Sequence, residues 1–166
     1  MANTSTKPLI LAIALNPQPF LDEIYKPLMA EIRPNADFLR AEDADSAKRW
    51  LLREPTPAAI LITDEGLTED QNNHVWPAVL RYVRGVGTVV VMGGFSTFDS
   101  GLAVKMVPEY STKALFVHNV AFEDDRVSGE SAVAFASVGD GKLGYIGDVN
   151  AEHGLNVTVL AMCGIL

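Results

Sequence analysis

The sequence is poor in the residues that cross-link small folds or build metal centres. Its only cysteine, Cys163, lies in an apolar stretch near the carboxyl end. One thiol excludes an intrachain disulfide framework and a cysteine-rich zinc site, so Cys163 is expected to be a buried structural thiol. With 166 residues, 48% of them hydrophobic, the chain can bury a core without such cross-links. We therefore predict a single domain over residues 1–166.

Positive charge is also scarce, with 13 Lys and Arg against 21 Asp and Glu and a net charge of −8. The cations form no cluster, so a nucleic-acid partner is not expected. The apolar run at residues 9–15 is too short to cross a bilayer, which argues against a membrane partner and favours a cytoplasmic location. The sequence contains no P-loop, no Gly-x-Gly-x-x-Gly and no His-Glu-x-x-His, so neither a cofactor nor a metal is predicted.

Short apolar runs alternate with amphipathic segments along the first two thirds of the chain. Continuous apolar character predicts strands at residues 9–15, 36–41, 58–63, 88–92 and 114–117. The segments between them predict helices at residues 20–32, kinked or divided by Pro27; at 45–53, capped by Asp45; and from near Asn73 to Gly85, with Pro77 in or next to the first turn. Such alternation indicates an α/β fold with a mostly parallel sheet covered on both faces.

The first strand is apolar enough to be central in the sheet. We therefore predict the strand order 2-1-3-4-5 of a flavodoxin-like three-layer sandwich. Later, the apolar runs 132–138 and 142–149 flank a Gly-Asp-Gly sequence, which predicts an appended antiparallel hairpin whose turn, at Asp140 and Gly141, requires positive φ. From Leu155 onward the chain is apolar nearly all round, so a closing helix packed into the body is expected.

Ligands of open α/β sheets bind outside the carboxyl ends of the strands, at the point where the strand order reverses. This rule selects four loops, at residues 16–19, 64–66, 93–98 and 118–119. Two further oxygen-bearing side chains precede the closing helix. The predicted substrate-binding residues are Asn16, Gly93, Gly94, Phe95, Asn119, Asp148 and Asn150.

Four side chains in these loops are candidate catalytic groups. Asp64 and Glu65 follow a buried strand, where partial desolvation would raise a carboxyl pKa into the range of a general base. The alternative is that Asp64 caps a loop or a helix and that Glu65 is solvated. His118 is either an acid-base group or a histidine bonded to a backbone carbonyl, and Ser96 is either a nucleophile or a helix cap.

Three segments of the central region, at residues 59–64, 80–84 and 87–93, resemble the core of class I glutamine amidotransferase-like domains. Residues 138–148 resemble the glycine-turn hairpin near the end of that superfamily, including its ThuA-like branch. The resemblance implies a nucleophilic cysteine just after the strand at 88–92 and a late His-x-Glu pair. Here residues 93–97 read Gly-Gly-Phe-Ser-Thr, and Glu152 precedes His153. Glutamine hydrolysis by the mechanism of that class is therefore not expected.

The sequence favours a small-molecule enzyme on this scaffold, with Asp64, Glu65 and His118 as acid-base groups around the glycine turn. Isomerisation, cyclisation, elimination and hydrolysis all fit such a site. One alternative is a non-catalytic ligand-binding or assembly domain of the same fold, and another is nucleophilic hydrolysis through Ser96. The expected partner is a small molecule, and a homodimer is left open.

Overall fold

The computed structural model describes residues 7–92, 112–113, 133–147 and 153–166. The strands are β1 (Leu9–Ile13), β2 (Asp37–Ala41), β3 (Ala59–Ile62), β4 (Thr88–Val91), β5 (Thr112–Lys113), β6 (Val133–Val138) and β7 (Gly141–Ile146). The helices are α1 (Pro19–Ile32), α2 (Ala44–Leu51), α3 (Trp76–Gly85) and α4 (His153–Met162). Two 3-10 turns, Glu65–Thr68 and Asp70–Val75, connect β3 to α3. The α/β class is confirmed.

These strands form one sheet in the order β2-β1-β3-β4-β7-β6-β5. β1 to β4 and β7 pair in parallel, whereas β6 pairs antiparallel with β7 and β5. The first four positions match the predicted order. The fifth, beside β4, is occupied by β7, so the hairpin joins the sheet directly at β4. The strand predicted at 114–117 lies outside the described residues. β7 suits this inner position because it has apolar side chains on both faces, with Leu143 on one and Ile146 on the other.

Helices cover both faces of the sheet. Side chains that alternate along β1 and β3 supply one core beneath α2 and α3 and another beneath α1 and α4. Leu11 and Ile60 belong to the first core, and Ile10 and Leu61 to the second, all of them fully buried. Strands that are apolar on both faces are therefore the reason for the three layers.

Helix α1 departs from its prediction in two respects. Pro27 does not divide it: one helix continues through this exposed residue, and the carbonyl that loses its hydrogen bond belongs to Glu23, which is also exposed. The buried face contains Tyr25 and Leu28. Phe20, the apolar residue with which the predicted helix began, is 60% exposed at the first turn.

The start of the second helix differs by two residues from the prediction. Its N-cap is Asp43, not Asp45, and an Asp43 carboxylate oxygen accepts a hydrogen bond from the backbone N–H of Ser46 at 2.8 Å. The third helix begins only at Trp76, after the two 3-10 turns, and Pro77 lies in its first turn as predicted.

The hairpin is confirmed, but its turn lies one residue earlier than predicted. Gly139 and Asp140 form the turn, with φ of 62° at Gly139, and Gly141 already pairs with Val138 in the ladder. A Cβ atom on Gly141 would overlap the carbonyl oxygens of Val83 and Gly87. Gly141 is therefore needed for the close approach of β7 to the end of α3 and not for positive φ.

The last helix lies on the sheet with one face exposed. Val159 and Leu160 are buried, whereas Val157 is 39% exposed and Ala161 is also exposed. The expected closing helix is present and packs into the core through one face only, because apolar composition alone does not tell which side meets the core.

The thiol just after α4 behaves as predicted. Cys163 is buried, and burial raises its pKa to about 12. It therefore stays protonated at neutral pH and serves as a small core side chain. In the part of the chain that the structure describes, no helix is long and apolar enough to cross a membrane.

Candidate functional site

Asp64 joins two loops at the carboxyl edge of the sheet. It follows β3 and is only 2% exposed. Oδ1 accepts hydrogen bonds from the backbone N–H groups of Leu15 at 3.1 Å and Gly66 at 2.9 Å, and Oδ2 accepts one from Asn16 at 3.2 Å. The carboxylate thus bridges the loop after β1 and the turn after β3.

Two opposing effects set the pKa of Asp64. Burial is the larger effect and raises the pKa above its ordinary value of 3.8, whereas the three backbone N–H bonds lower it; the nearby charge of Glu65 adds a smaller increase. Both oxygens already accept bonds, so a proton on either one competes with a backbone donor. The carboxylate of Asp64 therefore serves as an acceptor for backbone hydrogen bonds, which agrees with the alternative that Asp64 caps a loop.

Side-chain amides extend this network toward the start of α1. Asn16 Nδ2 donates to Glu65 Oε1 at 2.9 Å, and Gln18 Nε2 donates to Asn16 Oδ1 at 3.0 Å. Because the bond to Glu65 fixes which end of the Asn16 amide is the donor, it also directs the remaining oxygen toward Gln18. Glu65 is half-buried and bonded, so it is not simply a solvated side chain.

A cavity of about 620 Å³ lies beside this network, between α1 and the sheet. One wall is formed by side chains of α1 between Leu21 and Ala30 and by Arg33, which follows the helix; the other is formed by Phe38, Leu39 and Arg40 of β2, with Ala12 of β1 also contributing. Pro17, Gln18, Thr63 and Asp64 line its end at the carboxyl edge. We call it the α1–β2 groove. Its volume is within the usual range for sites that bind small molecules.

The groove exists because small side chains occur where two layers meet. Ala12 on β1 is buried under α1 and is too small to fill the space between helix and sheet, and Ala30 lines the exposed side of the groove. Among the strands that the structure describes, β2 is first in the sheet order and pairs with β1 alone, so no described strand closes the groove on that side.

An ion pair joins the two walls of the groove. Arg40 Nη1 of β2 lies 2.5 Å from Asp22 Oδ1 of α1, and Arg40 Nε lies 3.2 Å from Glu42 Oε1. The side chains of Arg40 and Asp22 are 29% and 54% exposed. At such exposure the pair adds little to stability, at most about 1 kcal/mol. Its main effect is to hold the guanidinium beside the cavity.

The structure brings together three of the predicted site residues, Asn16, Asp64 and Glu65. Asp64 lines the groove. Asn16 donates its backbone N–H to Asp64 and its side-chain amide to Glu65, and it accepts a bond from Gln18, which also lines the groove. The remaining predicted residues lie outside the described part of the chain: His118, Ser96, Gly93, Gly94, Phe95, Asn119, Asp148 and Asn150. Within the described ranges, no group of three His, Cys, Asp or Glu side chains is arranged to hold a metal ion.

Several residues of the groove were not predicted as site residues. Gln18 lies in a loop that the strand-end rule had selected, but the amide network that orients it is not visible in sequence. Arg40 had a local signal, since a charged side chain stands on the same face of the second strand as Phe38. A charge at the inward side of a short strand is unusual enough to mark a site.

A scan against models of known protein families and a search of curated proteins found no match to this chain.

Proposed function

We propose that this chain binds a small molecule in the α1–β2 groove and that Asp64 is a structural bridge of that site. The observation that supports the proposal is the groove itself, about 620 Å³ in volume, one end of which lies at the carboxyl ends of β1 and β3. In open α/β sheets this is the edge at which ligands bind. The function so proposed is ligand binding without a catalytic role for Asp64.

The chemistry of the lining is that of a small-molecule site. Tyr25, Met29 and Phe38 offer apolar and aromatic surface, and Gln18 and Arg40 offer hydrogen-bonding groups at separate positions. Sites that bind small molecules combine a mostly apolar lining with a few polar groups that fix orientation. A flat helix–sheet contact would have neither the volume nor these polar groups.

The test fills the groove without changing charge. Ala30→Trp places an indole in the groove, and Ala161→Trp, on the exposed face of α4, is the matched control. A panel of water-soluble metabolites is screened by saturation-transfer NMR against the wild type and both variants. We expect the molecules that bind the wild type and Ala161→Trp to lose binding to Ala30→Trp. Binding that survives in Ala30→Trp, or a panel without a single binder, would contradict the proposal.

A second candidate function is acid-base catalysis on an amidotransferase-like scaffold that lacks the cysteine. The raised pKa of Asp64 at the groove wall favours it, because carboxyl groups that exchange protons near neutral pH have raised pKa values. In this proposal Glu65 and His118 share the proton transfer, the glycine turn at 93–94 contacts the substrate, and Ser96 is the weaker choice of nucleophile. Ammonia release from glutamine is expected to stay at background.

Glu65→Gln separates the two functions. Gln keeps an oxygen that accepts from Asn16 Nδ2, so the melting temperature should hold, but the carboxyl group is gone. Conversion of a molecule found in the screen would be followed by NMR. An enzyme that uses Glu65 loses this conversion, whereas a binding domain keeps the same affinity in Glu65→Gln and converts nothing in either form.

A further inference from the structure

The α1–β2 groove differs in charge from the rest of the molecule. The chain as a whole has a net charge of −8. The groove, however, is lined by three cations, Lys26, Arg33 and Arg40, and by two carboxylates, Asp22 and Asp64. The lining therefore has one more cation than it has carboxylates, whereas the chain as a whole has eight more carboxylates than cations.

Both carboxylates of the groove are already engaged. Asp64 accepts three backbone hydrogen bonds, and Asp22 pairs with Arg40. Arg40 is also close to Glu42, so its charge is balanced. The two lining cations outside this network are Lys26 and Arg33, and they decide which charge the groove attracts.

Lys26 and Arg33 stand on the same side of α1. They are seven residues apart, which is two helical turns or about 10 Å. Lys26 Nζ is 3.7 Å from Glu23 Oε2, but both side chains are about three-quarters exposed, so this contact is weak. Just after the end of the helix, Lys7 Nζ donates to the carbonyl oxygen of Arg33 at 3.4 Å, which brings a further positive charge close to Arg33.

Apolar side chains lie between these cations and the sheet. Met29 stands on α1 between Lys26 and Arg33, and Phe38 faces it from β2, each of them half-buried. Tyr25, one turn earlier on α1, is buried. The groove thus combines a cationic flank with an apolar floor.

We infer that the ligand of the α1–β2 groove is an anionic amphiphile, a small molecule with a carboxylate, phosphate or sulfonate group on an apolar or aromatic body. The anionic group pairs with Lys26 and Arg33, and the body packs on Met29 and Phe38. Polar ligands without an apolar body would leave the floor in water, and cationic ligands would be repelled by the flank. This inference rests on the proposed binding function.

Two fluorescent probes of similar shape separate charge from apolar contact. 8-Anilinonaphthalene-1-sulfonate is anionic, and N-phenyl-1-naphthylamine lacks the sulfonate. Both are titrated into the wild type, Ala30→Trp, the double variant Lys26→Gln/Arg33→Gln and a control double variant, Arg81→Gln/Arg84→Gln. The control removes the same charge from exposed positions of α3, on the opposite face of the sheet.

We expect the anionic probe to bind the wild type and to lose about tenfold in affinity in Lys26→Gln/Arg33→Gln. The neutral probe should be unaffected by that variant, the control should change neither probe, and Ala30→Trp should abolish both. If Ala30→Trp abolishes binding of both probes but Lys26→Gln/Arg33→Gln weakens both equally, the charge inference fails and the groove remains a binding site. The same conclusion follows if the control double variant weakens binding of the anionic probe as much as Lys26→Gln/Arg33→Gln does. If Ala30→Trp leaves both probes bound, the proposed function itself fails.

Discussion

The two edges of the sheet are held together by different means. At the amino edge the hairpin turn packs backbone against backbone on the end of α3, where Asp140 N–H donates to the Arg84 carbonyl at 3.2 Å and Lys142 N–H to the Gly87 carbonyl at 3.0 Å. At the carboxyl edge a buried side chain, Asp64, makes the connection between loops. At the amino edge there is no room for a side chain at position 141, whereas the carboxyl edge has the groove beside it.

This difference supports a stabilising role for the amino edge and the proposed binding at the carboxyl edge. Backbone contacts at the amino edge need no particular chemistry beyond the absence of a Cβ atom. At the carboxyl edge the loops are connected by a desolvated carboxylate and two oriented side-chain amides, although backbone hydrogen bonds could make the same connection without burying a charged group. Polar groups with fixed orientation beside open space are what a ligand site requires and what a purely structural edge does not.

The largest expected effect is at the amino edge. Gly141→Ala places a methyl group onto the carbonyl oxygens of Val83 and Gly87, so β7 must move away from α3. We expect the free energy of unfolding to fall by about 3 kcal/mol, the upper part of the range for overpacking. Urea denaturation measures it.

Gly85→Ala is the control for this substitution, because a Cβ atom there meets nothing within 4 Å. It should change the free energy of unfolding by less than about 1 kcal/mol. Equal effects of the two substitutions would mean that close approach is not the reason for a glycine at position 141.

A smaller loss is expected at the carboxyl edge. Asp64→Asn keeps one oxygen for Leu15 and Gly66 but turns an amide N–H₂ toward the backbone N–H of Asn16. We expect the free energy of unfolding to fall by about 2 kcal/mol, since a buried donor loses its charged acceptor.

Asp43→Asn is the matched control for Asp64→Asn. Asp43 is exposed and caps α2 through Ser46, and Asn caps a helix about as well as Asp. The two proteins differ in the same atoms, so urea denaturation compares the sites directly. A melting curve for Asp64→Asn that matches that of Asp43→Asn would show that the bridge between the loops is dispensable.

The smallest effect is a dependence on pH. Burial raises the pKa of Asp64, so the folded protein holds this proton more tightly than the unfolded chain does. The stability that comes from the protonated carboxyl is fully present below the unfolded pKa and is lost as the pH rises through the folded pKa. Asn at this position does not titrate. The stability gap between the wild type and Asp64→Asn should therefore narrow as the pH is raised from about 4.

The gap is measured by urea denaturation of both proteins at several pH values, so that the other carboxyl groups cancel in the difference. A gap that widens with rising pH would mean that the three N–H bonds outweigh burial at Asp64 and that its pKa is lowered.

The sequence predicted the parts of the fold that depend on local pattern. Continuous apolar runs located β1, β3 and β4, because strands buried on both faces need apolar side chains at every position. The place of β7 beside β4 could not be predicted, since strand pairing is non-local and no residue in the hairpin specifies its neighbour. The Gly-Asp-Gly sequence marked a turn, but it does not reveal that Gly141 touches α3.

For the candidate site, too, the sequence predicted the residues at the strand ends but not the groove beside them. Asn16, Asp64 and Glu65 came from the rule that places ligands at the carboxyl ends of strands, and the structure places all three there. The groove was not predicted, because it results from small side chains on two elements that meet only in the folded chain. The Arg40–Asp22 ion pair was missed for the same reason.

The most direct test of the account is a map of where the anionic probe binds. Backbone ¹H–¹⁵N spectra of the wild type are recorded during a titration with 8-anilinonaphthalene-1-sulfonate. The account predicts shift changes at Gln18, Tyr25, Ala30 and Phe38, with the hairpin around Gly141 unchanged. Changes centred on the hairpin or on α2 and α3, with α1 and β2 silent, would contradict the placement of the site in the α1–β2 groove.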